Sequence, residues 1–85
     1  MDIYLLFPSI HNVMAAEELC LEAAVACDLR PVPREISSDC GMCLACREAD
    51  LDTVQELLHR AGFSCPVRLY RAEPDRKFTL LATIP

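Results

Sequence analysis

The sequence predicts an α+β fold: a split βαβ, or ferredoxin-like, sandwich in the order βαββαβ, with one antiparallel sheet and both helices on one face. Three observations carry that expectation. Short apolar runs of strand length alternate with two stretches whose apolar residues recur at helical spacing. The segment Arg30-Pro31-Val32-Pro33-Arg34 stands between the first helical stretch and the next apolar run, and two prolines this close suit an edge strand. A polar turn, Ser37-Ser38-Asp39-Cys40-Gly41, then joins that segment to the run, as a hairpin connection does.

Taken in order, Ile3-Tyr4-Leu5-Leu6-Phe7 is an apolar run ended by Pro8-Ser9 and reads as a buried strand. Residues 12–27 follow as a helix, with Ala16, Leu19, Cys20, Ala23 and Cys27 on one face and Glu17, Glu18 and Glu22 on the other. Ser9 or Asn12 caps its start, and Asp28 takes the turn at its end in place of the usual Gly. The two prolines at 31 and 33 remove backbone donors and hold the chain extended. Met42 to Arg47 has the composition of a fair helix, but the extended segment and tight turn before it favour the return strand of a hairpin. Asp50 opens the second helix with acidic residues in its first turn, which suits the positive end of the helix dipole. Leu51, Val54, Leu57, Leu58 and Ala61 form its apolar stripe and Gly62 stops it. Val67-Arg68-Leu69-Tyr70-Arg71 alternates as a strand with one wet face. Glu73 to Arg76 is a turn, and Phe78 to Ile84 returns as an extra strand. Residues 1–73 are expected to form the domain, with 74–85 adding the turn and that strand.

Composition narrows the function. Eighty-five residues make one domain, and a chain of this length buries enough surface for a modest core without obligatory cross-links. A net charge of −5 argues against a nucleic-acid partner, which needs a concentrated basic face. The seven arginines and one lysine are scattered along the chain. No apolar stretch approaches the roughly 20 residues of a membrane span. The run from Ile3 to Phe7 is too short for a signal peptide, and Asp2 stands where a positive charge would be. The expected setting is the cytoplasm, where six cysteines are better read as thiols, a metal site or a redox site than as a disulfide framework.

Three of those cysteines fall at C-x-x-C-x-x-C spacing, as Cys40, Cys43 and Cys46. Ferredoxin-type clusters use this spacing with a fourth Cys followed by Pro. Here Arg47-Glu48-Ala49-Asp50 follows, and His11 and His59 are remote. On a strand, Cys43 and Cys46 point to opposite faces and do not converge on a metal. A Cys40–Cys43 redox pair lacks the helix N-terminus that lowers a thiol pKa in thioredoxin-type sites. The third reading makes Cys40 the working thiol, exposed at the turn. Gly41 clears space beside it, Ser37 and Ser38 offer hydrogen bonds to a thiolate, and Arg34 offers positive charge. Asp39 opposes that charge. On chemistry alone, this reading and a plain hairpin turn stand level, with the metal and dithiol readings behind them. Cys20 and Cys27 are expected to pack on the first helix, and Cys65, before Pro66, to be a surface thiol in a loop.

The string Pro33-Arg34-Glu35-Ile36-Ser37-Ser38-Asp39-Cys40-Gly41 resembles the signature of the small selenium/sulfur carrier-like family. The neighbouring features agree over residues 1–71: an opening strand running into Ser9-Ile10-His11-Asn12, an Ala/Glu-rich helix, the signature, an apolar strand and an acidic helix start. The resemblance implies a ferredoxin-like fold and a role carrying sulfur or selenium on the one shared cysteine, which matches Cys40. It implies donor and acceptor proteins as partners and no cofactor. Cys43 and Cys46 depart from the pattern as additional thiols, the Cys27-Asp28 helix end replaces the usual Ala-Gly, and the tail after Glu73 extends past the family core. No second catalytic group is evident, so independent turnover is not expected. The competing expectation, from a different class, is a binding or regulatory module that pairs through its sheet edges, including with a second copy of itself.

Overall fold

A computed structural model of the chain describes residues 2–36 and 41–84. It is an α+β protein with one antiparallel five-stranded sheet and two helices. The strands are β1 (Ile3–Leu6), β2 (Cys27–Pro31), β3 (Met42–Cys46), β4 (Val67–Ala72) and β5 (Phe78–Ile84), in the spatial order β2-β3-β1-β4-β5. The helices are α1 (Ile10–Glu22) and α2 (Leu51–Arg60), the latter entered through a 3₁₀ turn at Glu48–Asp50.

The short apolar runs become the inner strands because they are buried on both sides. β1 pairs with β3 (Leu5 opposite Leu44) and with β4 (Leu5 opposite Leu69). β2 carries Pro31 at an edge, where a missing backbone donor costs no second ladder. One core cluster joins Ile3, Leu5, Leu44 and Leu69 of the sheet to Val13, Ala16 and Cys20 of α1 and Val54 and Leu58 of α2. Both helices therefore cover the same face.

The other face is not bare. Register puts Tyr4, Ala45 and Asp28 side by side there, next to Arg30 and Cys43. Leu6, Cys43 and Ala45 are buried on this face although no helix covers it. Their neighbours supply cover: the Arg30 guanidinium lies 5.9 Å from the Tyr4 ring centroid and donates to its hydroxyl, and Phe78 meets Tyr4 edge-on at 5.3 Å.

Three sequence expectations shift. α1 starts at Ile10, capped by Ser9, whose hydroxyl oxygen accepts the Asn12 N–H and donates its own proton to Asn12 Oδ1 at 2.7 Å. The helix ends at Glu22, not Cys27. Ala24 N–H bonds to Leu21 C=O and Val25 N–H to Cys20 C=O, a Schellman closure with Ala24 at φ 58 in the position usually given to Gly. Cys27 and Asp28 thus belong to β2, and Ala23 is exposed. On α2, Ala61 is likewise exposed and serves as C-cap, before Gly62 at φ 74.

Candidate functional site

Of the residues singled out around Cys40, Arg34 and Gly41 are among those described, whereas Ser37, Ser38 and Cys40 lie outside the described residues. The two flanks are well defined. On the β2 side the chain turns at Arg34–Ile36, where the Ile36 N–H donates to the Pro33 carbonyl at 3.1 Å and Arg34 is exposed. On the β3 side, the Gly41 carbonyl accepts the Val32 N–H at 3.0 Å, one rung beyond the Pro31–Met42 pair. This bond ties the loop's base across the two strands.

Gly41 has φ +79, a left-handed conformation in which L side chains are strained. A Cβ built there meets nothing within 4 Å. Glycine is therefore favoured at this position by backbone conformation and not by crowding within the chain.

Cys43 and Cys46 separate as strand geometry demands. Cys43 pairs with Arg30 on the face away from the helices, and Cys46 pairs with Cys27 on the helix face. Both are fully buried. These two thiols do not share a ligand site. Among the described residues, no group of three or more His, Cys, Asp or Glu side chains is arranged to hold a metal ion.

A different set of thiols does come together. Cys20 on α1, Cys27 at the start of β2 and Cys46 at the end of β3 meet at one end of the helix face. Burial, reinforced by the nearness of Cys27, pushes the Cys20 thiol up to about 12. Burial pushes Cys46 up to about 11, with Asp50 adding to it. Cys27 is also raised, by burial first. Reading Cys27 as the last residue of a helix hid this cluster from sequence analysis. Ending the helix one turn earlier would have placed Cys27 on a strand opposite Cys46. Cys65 also departs from expectation: it is half-buried against the core and lines a cleft of about 110 Å³ with His59 and Gln55.

The charged side chains near the site pair locally. Arg30 bridges to Asp28 at 3.1 Å, and Arg47 to Asp50 at 2.8 Å. Both pairs are substantially solvated and contribute little to stability. Asp2 accepts the Glu48 N–H and its carbonyl accepts the Ala72 N–H, which ties the start of β1 to the turn before α2 and to the end of β4.

A family model described as "Putative Se/S carrier protein-like" matches residues 2–65. The chain belongs to this family. No curated protein and no solved structure matches it. The Se/S carrier-like match spans β1 through α2 to Cys65, a range that contains Cys40 and Gly41 and leaves β4 and β5 outside. Among the described residues, no helix is long and apolar enough to cross a membrane.

Proposed function

We propose that this Se/S carrier-like protein accepts sulfur or selenium on Cys40 from a donor protein, holds it as a persulfide or selenopersulfide, and passes it to an acceptor enzyme. The observation that carries this reading is the family match, whose range of residues 2–65 contains the Cys40-Gly41 pair. Gly41, the residue directly after the thiol, is left-handed and tied by its carbonyl to Val32, which supports a fixed backbone at that one residue.

In the loading step the Cys40 sulfur attacks the outer sulfur of a donor persulfide. The donor S–S bond breaks, the donor thiolate leaves with the proton that Cys40 gives up, and Cys40 carries the transferred atom as –S–SH. Ser37 and Ser38 donate hydrogen bonds to the terminal sulfur, and Arg34 adds positive charge to the loop. Unloading reverses the logic, with an acceptor nucleophile attacking the terminal atom and Cys40 leaving as thiolate. One Cys40 carries one atom per visit, so the chain acts with its partners and not as an enzyme alone. The frame in this reading is ferredoxin-like and the setting cytoplasmic, where the thiol stays reduced. Partners, including a second copy, pair along the outer strands.

The test is direct. The reduced protein is incubated with a cysteine desulfurase and cysteine, and its intact mass is measured without reductant. The expected product is a one-sulfur adduct that maps to Cys40 and is absent from Cys40→Ser. An unchanged mass, or equal loading of Cys40→Ser, overturns the proposal.

A further inference from the structure

α1 is apolar on two sides, and the fold covers only one of them. Among the described residues four large apolar side chains are exposed, and three of them stand on this helix: Ile10 (38% exposed), Met14 (54%) and Leu21 (62%). At 3.6 residues per turn they fall within about 40° of one another, so they form one stripe. The stripe is turned away from Val13, Ala16 and Cys20, which are buried in the core. Glu17 and Glu18 flank it on either side, and Glu22 is the last residue of the helix. None of these three carboxylates is in an ion pair among the described residues. Glu22 also stands at the negative end of the helix dipole, with no basic residue in the last turn to offset it. Beside the stripe, an open cleft of about 220 Å³ separates the two helices, lined by Ala15, Leu19, Ala61 and Phe63 together with Glu18 and Glu22. An arginine fits such a cleft, with its hydrocarbon stem on the apolar lining and its charge near the carboxylates.

We propose that α1 and this cleft bind a partner protein through a basic amphipathic helix, whose apolar face covers Ile10, Met14 and Leu21 and one of whose arginines enters the cleft. Charge complementarity selects this occupant. A second copy of the chain brings the same three glutamates to the contact and is repelled, and nucleic acid or an anionic lipid surface is repelled for the same reason. An apolar stripe edged by charge matches helix-in-groove recognition, in which anchors recur every three or four residues.

The topology gives this surface a place relative to Gly41. β1 runs from Ile3, opposite Cys46, to Leu5, opposite Leu44, and so heads towards the end of β3 that Gly41 precedes. α1 starts at Ile10, directly after the short link that leaves β1, so its Ile10 end lies at the end of the sheet where Gly41 stands. A partner held on α1 is therefore brought to that end of the domain. The surface is separate from the outer strands and does not depend on what Cys40 carries.

The probe is a fluorescein-labelled peptide of leucine and arginine, about five turns of helix long, with its leucines on one face. Its anisotropy is titrated with the full chain as Cys40→Ser, kept reduced so that no thiol chemistry enters. The expected result is saturable binding that weakens as salt is raised. A peptide of the same composition in scrambled order, which has the charge without the apolar face, binds at least about tenfold more weakly. Met14→Ser/Leu21→Ser and Glu18→Gln/Glu22→Gln alter only exposed side chains, and each weakens binding by about tenfold. Glu73→Gln/Asp75→Asn removes the same charge from the turn between β4 and β5 and leaves binding unchanged. Absence of saturable binding, equal binding of the scrambled peptide, or an equal loss in Glu73→Gln/Asp75→Asn overturns the proposal. The scrambled peptide decides the matter without any variant of α1. Sulfur loading is not read in this titration, so the surface and the carrier role stand or fall separately.

Discussion

Gly41 gives the sharpest test of how the loop is held. Its φ of +79 costs an alanine roughly 1–2 kcal/mol. Alanine also stiffens the unfolded chain, which returns about 0.4–1 kcal/mol. With nothing within 4 Å of the added Cβ, no steric term enters. Gly41→Ala is therefore expected to destabilise by about 0.5–1 kcal/mol, a fall of roughly 3–6 °C in Tm for a domain of this size. Asparagine tolerates the left-handed region better than any other residue with a Cβ, so Gly41→Asn is expected to fall between wild type and Gly41→Ala. The Val32–Gly41 hydrogen bond uses only backbone atoms and survives in both. Urea and thermal melts of the three reduced proteins measure the order. A Gly41→Ala protein as stable as wild type, or an Asn variant as damaged as the Ala one, refutes the conformational argument. Loss of several kcal/mol in Gly41→Ala refutes it in the other direction, since that size of effect requires a clash.

Other consequences can be measured with the same melts. Ala24→Gly relieves the left-handed alanine at the end of α1 and is expected to stabilise by about 0.5 kcal/mol, the mirror image of Gly41→Ala; a destabilised variant contradicts the Schellman closure. Leu44→Ala empties the centre of the core, where Leu44 is fully buried, and is expected to cost about 2–5 kcal/mol in the urea midpoint analysis. Because Cys20 and Cys46 are raised in the folded state from 9.0 to about 12 and about 11, the folded chain keeps protons that the unfolded chain releases. Stability from these thiols is fully present below pH 9 and is lost as pH rises from 9 through 11 and 12. The urea midpoint is expected to fall across pH 8.5–10.5, and less steeply in Cys20→Ala; a flat profile contradicts the burial of the thiols.

Much of the fold was legible because its signals are local. The α2 stripe through Val54 and Leu58, the strand at Ile3–Leu6 and the hairpin around Gly41 all follow from spacing, prolines and one glycine. The end of α1 was not legible, because its left-handed closing residue is Ala24, which carries no stop signal, while Cys20, Ala23 and Cys27 continue a helical spacing past the true end. That one boundary concealed the thiol cluster, since Cys27 meets Cys46 only from a strand. The burial of Cys43 beneath Arg30 and Tyr4 was also hidden: an arginine and a tyrosine do not announce themselves as the cover of a sheet face.

The two strands that bear the loop are unequal supports. β3 has a partner on each side, and Cys43 to Cys46 are buried through the thickness of the sheet. β2 has one partner, contains no fully buried residue and ends in a proline. Backbone amides of β3 should exchange with solvent only when the whole domain opens, and the outward amides of β2 far sooner. A partner that grips the loop from the Arg34 side pulls on a yielding edge, and one that grips from the Gly41 side pulls on the body of the domain. The segment holding Cys40 thus has a fixed end and a compliant end. The fixed end is the residue that directly follows the sulfur.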